Sequence, residues 1–171
     1  LIKRENLGMI KGRTRRAQLD MAKKYGIENP PNAGGGCLLT DPSFGLRAKD
    51  LFGHTETPTI NDVDLLKIGR HFRFDEQTKF VVGRNKDENE MIKAIALPED
   101  ILLQARDHMG PVSILRGKNA DTFVKFASSI TLRYSDAPKG EQASVIINKN
   151  NTKEEIVVQH AEEESYIKFR I

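Results

Sequence analysis

The chain has 171 residues, of which 38% are hydrophobic and 30% charged, with a formal net charge of +3; that length allows one substantial core or two small ones. No apolar run approaches the roughly 20 residues needed to span a membrane. The single cysteine, Cys37, excludes an internal disulfide framework and a multi-cysteine zinc site, and it fits a reducing cytoplasm.

The N-terminal Leu1-Ile2-Lys3-Arg4 has no signal-peptide pattern. The lack of an initiator Met predicts numbering that begins inside a longer gene product. Charge is unevenly spread: residues 1–27 carry eight Lys or Arg against two acids, a net +6, while Glu154, Glu155, Glu162, Glu163 and Glu164 fall in the last twenty residues. Such asymmetry predicts one basic face.

In chain order, Ala17, Met21 and Tyr25 give a helical stripe from Thr14 to Tyr25, and Gly26-Ile27 reads as its C-terminal cap. Pro30-Pro31 and Gly34-Gly35-Gly36 impose a loop. A short helix covers Phe44 to Phe52. Thr59 with Asp62 has the form of a capping box, with Val63 and Leu66 as apolar contacts. His71 to Phe74 and Lys79 to Val82 read as two strands around a turn. Asn85 caps the next helix with Glu88 three residues on, and Met91, Ile92 and Ile95 face inward.

Ile101 to Ala105 and Val112 to Leu115 are strand-like and flank Gly110-Pro111. Thr122 to Leu132 is helical, with Phe123, Phe126, Ala127 and Ile130 on one stripe. Ser144 to Ile147, Glu155 to Gln159 and Tyr166 to Ile171 are three further strand candidates. The fold class is therefore α+β, with a helical, loop-rich N-terminal part.

The sequence contains no phosphate-binding loop of the Gly-x-x-x-x-Gly-Lys-Ser/Thr type, no Gly-x-Gly-x-x-Gly and no His-Glu-x-x-His. The four histidines lack metal-ligand spacing. Nothing argues for independent catalysis. The recurring feature is glycine followed by arginine at element ends: Gly12-Arg13, Gly69-Arg70 and Gly83-Arg84, with Arg116-Gly117 reversed. A glycine turn exposes backbone N–H groups beside a planar guanidinium, a pairing that suits phosphate oxygens. Asp87, Glu88 and Glu90 follow Arg84 and already complement the helix dipole. A structural role for Arg84 therefore stands beside the phosphate-binding one.

The segments Ala33-Gly34-Gly35-Gly36-Cys37-Leu38-Leu39-Thr40-Asp41-Pro42, Leu65-Leu66-Lys67-Ile68-Gly69-Arg70-His71-Phe72-Arg73 and Val82-Gly83-Arg84-Asn85-Lys86-Asp87-Glu88-Asn89-Glu90 resemble one family. It is the thiouridylase-like PP-loop ATPase group, related to the ThiI and MnmA tRNA thiolation enzymes. The order of Gly-Arg-Asn, an acidic helix, a Gly-centred hairpin and Ala127-Ser128-Ser129-Ile130-Thr131-Leu132-Arg133-Tyr134-Ser135 is similar to that of an NFACT RNA-binding domain. Leu102-Leu103-Gln104 and Pro111-Val112-Ser113 depart from that pattern, which has an aromatic and histidines there.

The resemblance implies a basic helical linker region over 1–75 with the Gly-rich loop, and an NFACT-like α+β domain over 76–171. It implies a non-catalytic tRNA- or structured-RNA-binding region of an ATP-dependent tRNA thiouridylase-like transferase. ATP belongs to the parent, and no cofactor to this region. Arg13, Arg15, Arg16, Arg70, Arg73 and Arg84 are expected on phosphates, with His71 and Asn85 adding hydrogen bonds and shape rather than base identity being read. The other reading is an interaction module that docks the missing ATPase domain or a sulfur-carrier protein. Cys37 is either a packing residue or a sulfur relay.

Overall fold

His71-Phe72-Arg73-Phe74 alternates polar and aromatic side chains, so a strand places both phenylalanines on one face and His71 and Arg73 on the other. The computed structural model, which describes residues 15–28, 38, 41–150 and 152–171, has this strand at one edge of a sheet. The chain divides into two units, Leu1–Thr40 and Asp41–Ile171. In the first, helix α1 spans Arg16–Lys24, and Ile27 N–H donates to the Ala22 carbonyl at 2.9 Å, closing the helix as expected. The expected stripe residues Ala17, Met21 and Tyr25 are exposed, and Ala22 alone in this helix is buried.

In the second unit α2 (Pro42–His54) and α3 (Ile60–Leu65) precede β1 (Arg70–Asp75) and β2 (Thr78–Val82). Helix α4 (Lys86–Ile95), β3 (Ile101–Ala105), β4 (Val112–Gly117), α5 (Ala120–Arg133), β5 (Gln142–Lys149), β6 (Thr152–Gln159) and α6 (Glu163–Tyr166) follow. The strands form one six-stranded sheet in the order β1-β2-β4-β3-β5-β6, antiparallel throughout. The expected α+β class and the strands around Phe80, Leu103, Ile114, Val145 and Val157 are all present. The division expected between 75 and 76 falls in the β1–β2 turn, and the sheet already includes Arg70.

Each face has its own core. Phe72, Phe74, Phe80, Val82, Ile101, Leu103 and Leu115 pack against the α5 stripe of Ala127 and Ile130. On the opposite face Val81, Val112 and Ile114 meet Ile92 of α4 and Leu65 of α3. Phe44, Ala48 and Leu51 of α2 enclose Leu66. The Thr59–Asp62 capping box forms as expected, with Asp62 N–H on the Thr59 hydroxyl at 3.2 Å and Thr59 N–H on the Asp62 carboxylate at 3.0 Å.

Two expectations need correction. Met91 is 48% exposed, whereas Ile92 is fully buried and Ile95 half-buried; one residue turns a helix by about 100°, so with Ile92 at the centre of the buried face Met91 falls outside it. Tyr166 to Ile171 is not a strand but α6 followed by a 3₁₀ turn, Ile167–Phe169, with one isolated bridge from Arg170 to Phe72. Tyr166 packs on Phe72 at 5.8 Å between ring centroids and Phe169 on Phe74 at 5.6 Å. Residues three apart share a helical face but lie on opposite faces of a strand, so coiling brings both rings into one core.

The reversed pair Arg116-Gly117 has a packing cause. Gly117 lies at φ +132°, and a Cβ there would collide with the Gln77 carbonyl oxygen in the β1–β2 turn. Gly117→Ala is expected to lower stability by at least about 2 kcal/mol, because strain and steric overlap add. An unchanged urea midpoint would contradict this. Among the described residues no helix is long and apolar enough to cross a membrane, and no cluster of three or more His, Cys, Asp or Glu is placed to hold a metal ion.

Candidate nucleic-acid interface

Antiparallel pairing sets Arg70, at the start of β1, opposite Val82, at the end of β2. The two Gly-Arg pairs Gly69-Arg70 and Gly83-Arg84 are therefore neighbours, and each arginine binds the other pair's glycine. Arg70 Nη1 donates to the Gly83 carbonyl at 3.3 Å, while Arg84 Nε and Nη2 donate to the Gly69 carbonyl at 3.2 and 2.5 Å. Glu88 accepts from the backbone N–H of Gly69 at 3.2 Å and of Arg84 at 2.8 Å. The Asn85 side chain accepts from Glu88 N–H at 2.9 Å, capping α4, and leaves Lys86 exposed on its first turn.

The floor beside this hairpin end is fixed by Asn89. Its Oδ1 accepts from Val112 N–H at 2.9 Å and its Nδ2 donates to the Gly110 carbonyl at 3.3 Å. Gly83 must lack a side chain, since a Cβ would run into the Asn89 amide. The result is a cleft of about 380 Å³ between α4, the β3–β4 loop and the end of α5, lined by Arg70, Arg84, Lys86, Met109, Tyr134 and Asp136 among others.

The electrostatics are positive on the hairpin side. Arg47 of α2 has its pKa lowered first by burial and then by the charge of Arg84, with Arg170 adding to the effect and Asp41 and Glu88 opposing it. Arg47, Arg84 and Arg170 thus share one field. Arg84 keeps 41% of its side chain exposed. Arg70 stands over the Tyr134 ring at 4.7 Å from its centroid, a cation–π contact.

Of the residues expected on RNA, Arg70, Arg84 and Asn85 are brought together here. Arg73 and His71 are not. Arg73 points to the opposite face of β1 and makes a bidentate pair with Asp50 of α2, Nε at 2.9 Å and Nη2 at 2.7 Å. His71 is 1% exposed, and its Nε2 donates to the Ile68 carbonyl at 2.7 Å. Burial, with the nearby Lys79 charge, pushes the His71 pKa well below its ordinary value, against the opposing hydrogen bond to Ile68. His71 is therefore an interior, neutral ring and cannot reach a phosphate in solvent. The alternation that builds β1 turns both side chains away from Arg70.

Arg15 and Arg16 sit at the start of α1, in the first unit. Arg13 and Cys37 lie outside the described residues. Sequence reasoning passed over Lys86, Met109, Tyr134 and Arg170. Lys86 was legible as the residue after Gly83-Arg84-Asn85; Met109 and Tyr134 reach the cleft only through tertiary packing, and Arg170 acts through its charge on Arg47.

No curated protein matches the chain. Among solved structures, the C-terminal part of the fibronectin/fibrinogen-binding protein from Streptococcus suis is similar in fold, with a TM-score of 0.51 at 12% identity over 92% of this chain and 79% of that one. Residues 69–170 match the NFACT protein RNA binding domain, a stretch that starts at Gly69 and takes in the whole sheet. The chain belongs to the NFACT RNA-binding domain family.

Proposed function

We propose that this chain binds structured RNA through its phosphate backbone, at the hairpin end where Arg70, Arg84 and Lys86 surround the cleft. The observation that carries this reading is the mutual clasp of the two Gly-Arg pairs, which holds two guanidinium groups at one surface of a family RNA-binding domain. Guanidinium and ammonium groups so placed release counterions when they meet phosphate. On the motif resemblance alone, we assign the RNA as tRNA and the parent as an ATP-dependent, cytoplasmic thiouridylase-like transferase. In that parent a PP-loop ATPase domain would bind ATP and a sulfur-carrier protein would deliver sulfur. Cys37 is the relay candidate, and Arg13, Arg15 and Arg16 are further phosphate-contact candidates.

Lys86→Ala and Arg84→Ala are each expected to weaken tRNA binding most at low salt and to reduce the slope of log affinity against log salt by roughly 0.7 to 0.9. Which tRNA is preferred should not change. Unaltered slopes in both variants, or binding that ignores salt, would refute phosphate contact at this rim and favour an interaction module.

A further inference from the structure

Arg70 differs from the other arginines on the sheet. Arg73 is paired with Asp50, Arg106 with Glu155, and Arg116 with Asp62 and Asp100. Arg70 has no carboxylate partner among the described residues; its recorded contacts are the Gly83 carbonyl and the Tyr134 ring. Only Nη1 takes part in that hydrogen bond, so the rest of the guanidinium fork has no acceptor among the described residues. The group is nevertheless held in place, its Nη1 on the carbonyl and its central carbon over the ring.

The backing continues into the core. Tyr134 meets the edge of Tyr166 at 6.1 Å and 63°, and Tyr166, 3% exposed, meets Phe72 at 5.8 Å and 75°. Burial and then the hydrogen bond to Tyr134 push the Tyr166 hydroxyl up to about 12, so the Tyr166 ring stays uncharged over the working range of pH. From core to surface the order is Phe72, Tyr166, Tyr134, Arg70. It ends on a flat, delocalised cation at the edge of an open cleft.

Met109 also lines the cleft. Its backbone carbonyl accepts from Asp136 N–H at 2.8 Å, and the next residue, Gly110, is held by Asn89. The loop backbone is thus tied down on both sides, yet the Met109 side chain is 81% exposed. A soft, polarizable thioether suits the face of an aromatic ring. The cleft of about 380 Å³ is at the small end of ligand sites, which run from about 300 to 1,000 Å³, and is too small to admit a helix. Asp136 on the lining repels phosphate from its own side and leaves the backbone to Arg84 and Lys86.

We infer that the cleft receives one unstacked RNA nucleotide, its base laid on the open face of the Arg70 guanidinium with Met109 against it and its phosphate on Arg84 and Lys86. Unpaired bases stack on arginine planes and aromatic rings in this way. The inference rests on the RNA-binding reading and adds a preference for single-stranded loops or ends. It replaces recognition by shape alone, because the structure supplies the stacking surface that the sequence did not reveal.

The test compares two single-stranded probes of equal length and charge, an ordinary oligoribonucleotide of mixed sequence and the same strand without bases, in binding to the 171-residue chain. Base stacking predicts about tenfold tighter binding of the base-bearing strand. Arg70→Lys keeps the charge and loses the plane, and the preference should fall below about threefold. Met109→Ala, at an exposed loop side chain that folding does not need, should lower the preference in the same direction.

Equal binding of the two strands by the wild-type chain overturns the nucleotide site, as does full preference retained in both variants. If duplex RNA binds with the salt dependence described above while bases add nothing, the site falls and the backbone reading stands. If no RNA of any kind binds, both fall together.

Discussion

Asp50→Ala is expected to destabilise the fold by about 3–5 kcal/mol, seen as a large drop in the urea midpoint at neutral pH. Asp50 of α2 accepts from Arg73 at 2.9 and 2.7 Å and from Lys79 Nζ at 2.9 Å, with side-chain exposures of 9% for Asp50, 16% for Arg73 and 8% for Lys79. Removing the one carboxylate leaves two nearly buried cations without a partner. Burial already lowers the pKa of Lys79, against the pull of Asp50. A loss under about 1 kcal/mol would mean that water reaches the pair and screens it.

The same carboxylate fixes an acid limb. Burial alone would raise the Asp50 pKa, but the hydrogen bonds and charges of Arg73 and Lys79 outweigh it and hold it at about 2. A carboxylate held below its unfolded value contributes stability that is complete above pH about 4 and is lost as pH falls toward 2. His71 adds an earlier limb. Its pKa is depressed by burial, so the unfolded chain takes up that proton first and stability starts to decline below pH about 6.5. Wild-type stability measured against pH should show both limbs, and Asp50→Asn should shrink the lower one to what Asp62 and Asp75, also held below their ordinary range, contribute.

Arg116→Ala is expected to cost about 3–5 kcal/mol by the same reasoning at a second site. Arg116 of β4 donates to Asp100 at 2.9 and 2.7 Å and to Asp62 at 2.9 Å. The Asp100 side chain is fully buried and would keep only the Leu97 N–H at 2.8 Å. Asp62 belongs to the capping box of α3, so the loss also loosens the helix that covers Val81 and Ile114. A double replacement, Arg116→Leu with Asp100→Leu, should be less harmful than Arg116→Ala alone, because the fully buried Asp100 charge is then not stranded, while Asp62 keeps its bonds to Thr59. Equal or greater loss in the double variant would show that the geometry, not the charge, matters.

Local rules made much of the fold legible. Thr59 and Asp62, Asn85 and Glu88, and the alternation of β1 each state a structure within four residues, and each forms. Tyr166 and Phe169 were misread because an apolar stretch near a chain end fits a strand or a coil equally until its partner rings, Phe72 and Phe74, are in place. The site was legible only in part for the same reason. Gly69-Arg70 and Gly83-Arg84 stand out as words, but a word cannot tell that Arg70 and Arg73 leave opposite faces of one strand, nor that Asp50, 23 residues before Arg73, neutralises one and not the other. Tyr134 and Met109 enter the cleft from α5 and the β3–β4 loop, at distances along the chain that no local pattern spans.

The most direct measurement is a map of backbone amide shifts of the isotopically labelled chain as tRNA is added. The predicted result is a set of changes concentrated on Gly83 to Lys86, on Met109 to Val112 and around Tyr134, collapsing when Arg84 and Lys86 are both replaced by alanine. Changes centred on β5 and β6, or a map that the double replacement leaves intact, would contradict binding at the Gly-Arg hairpin end.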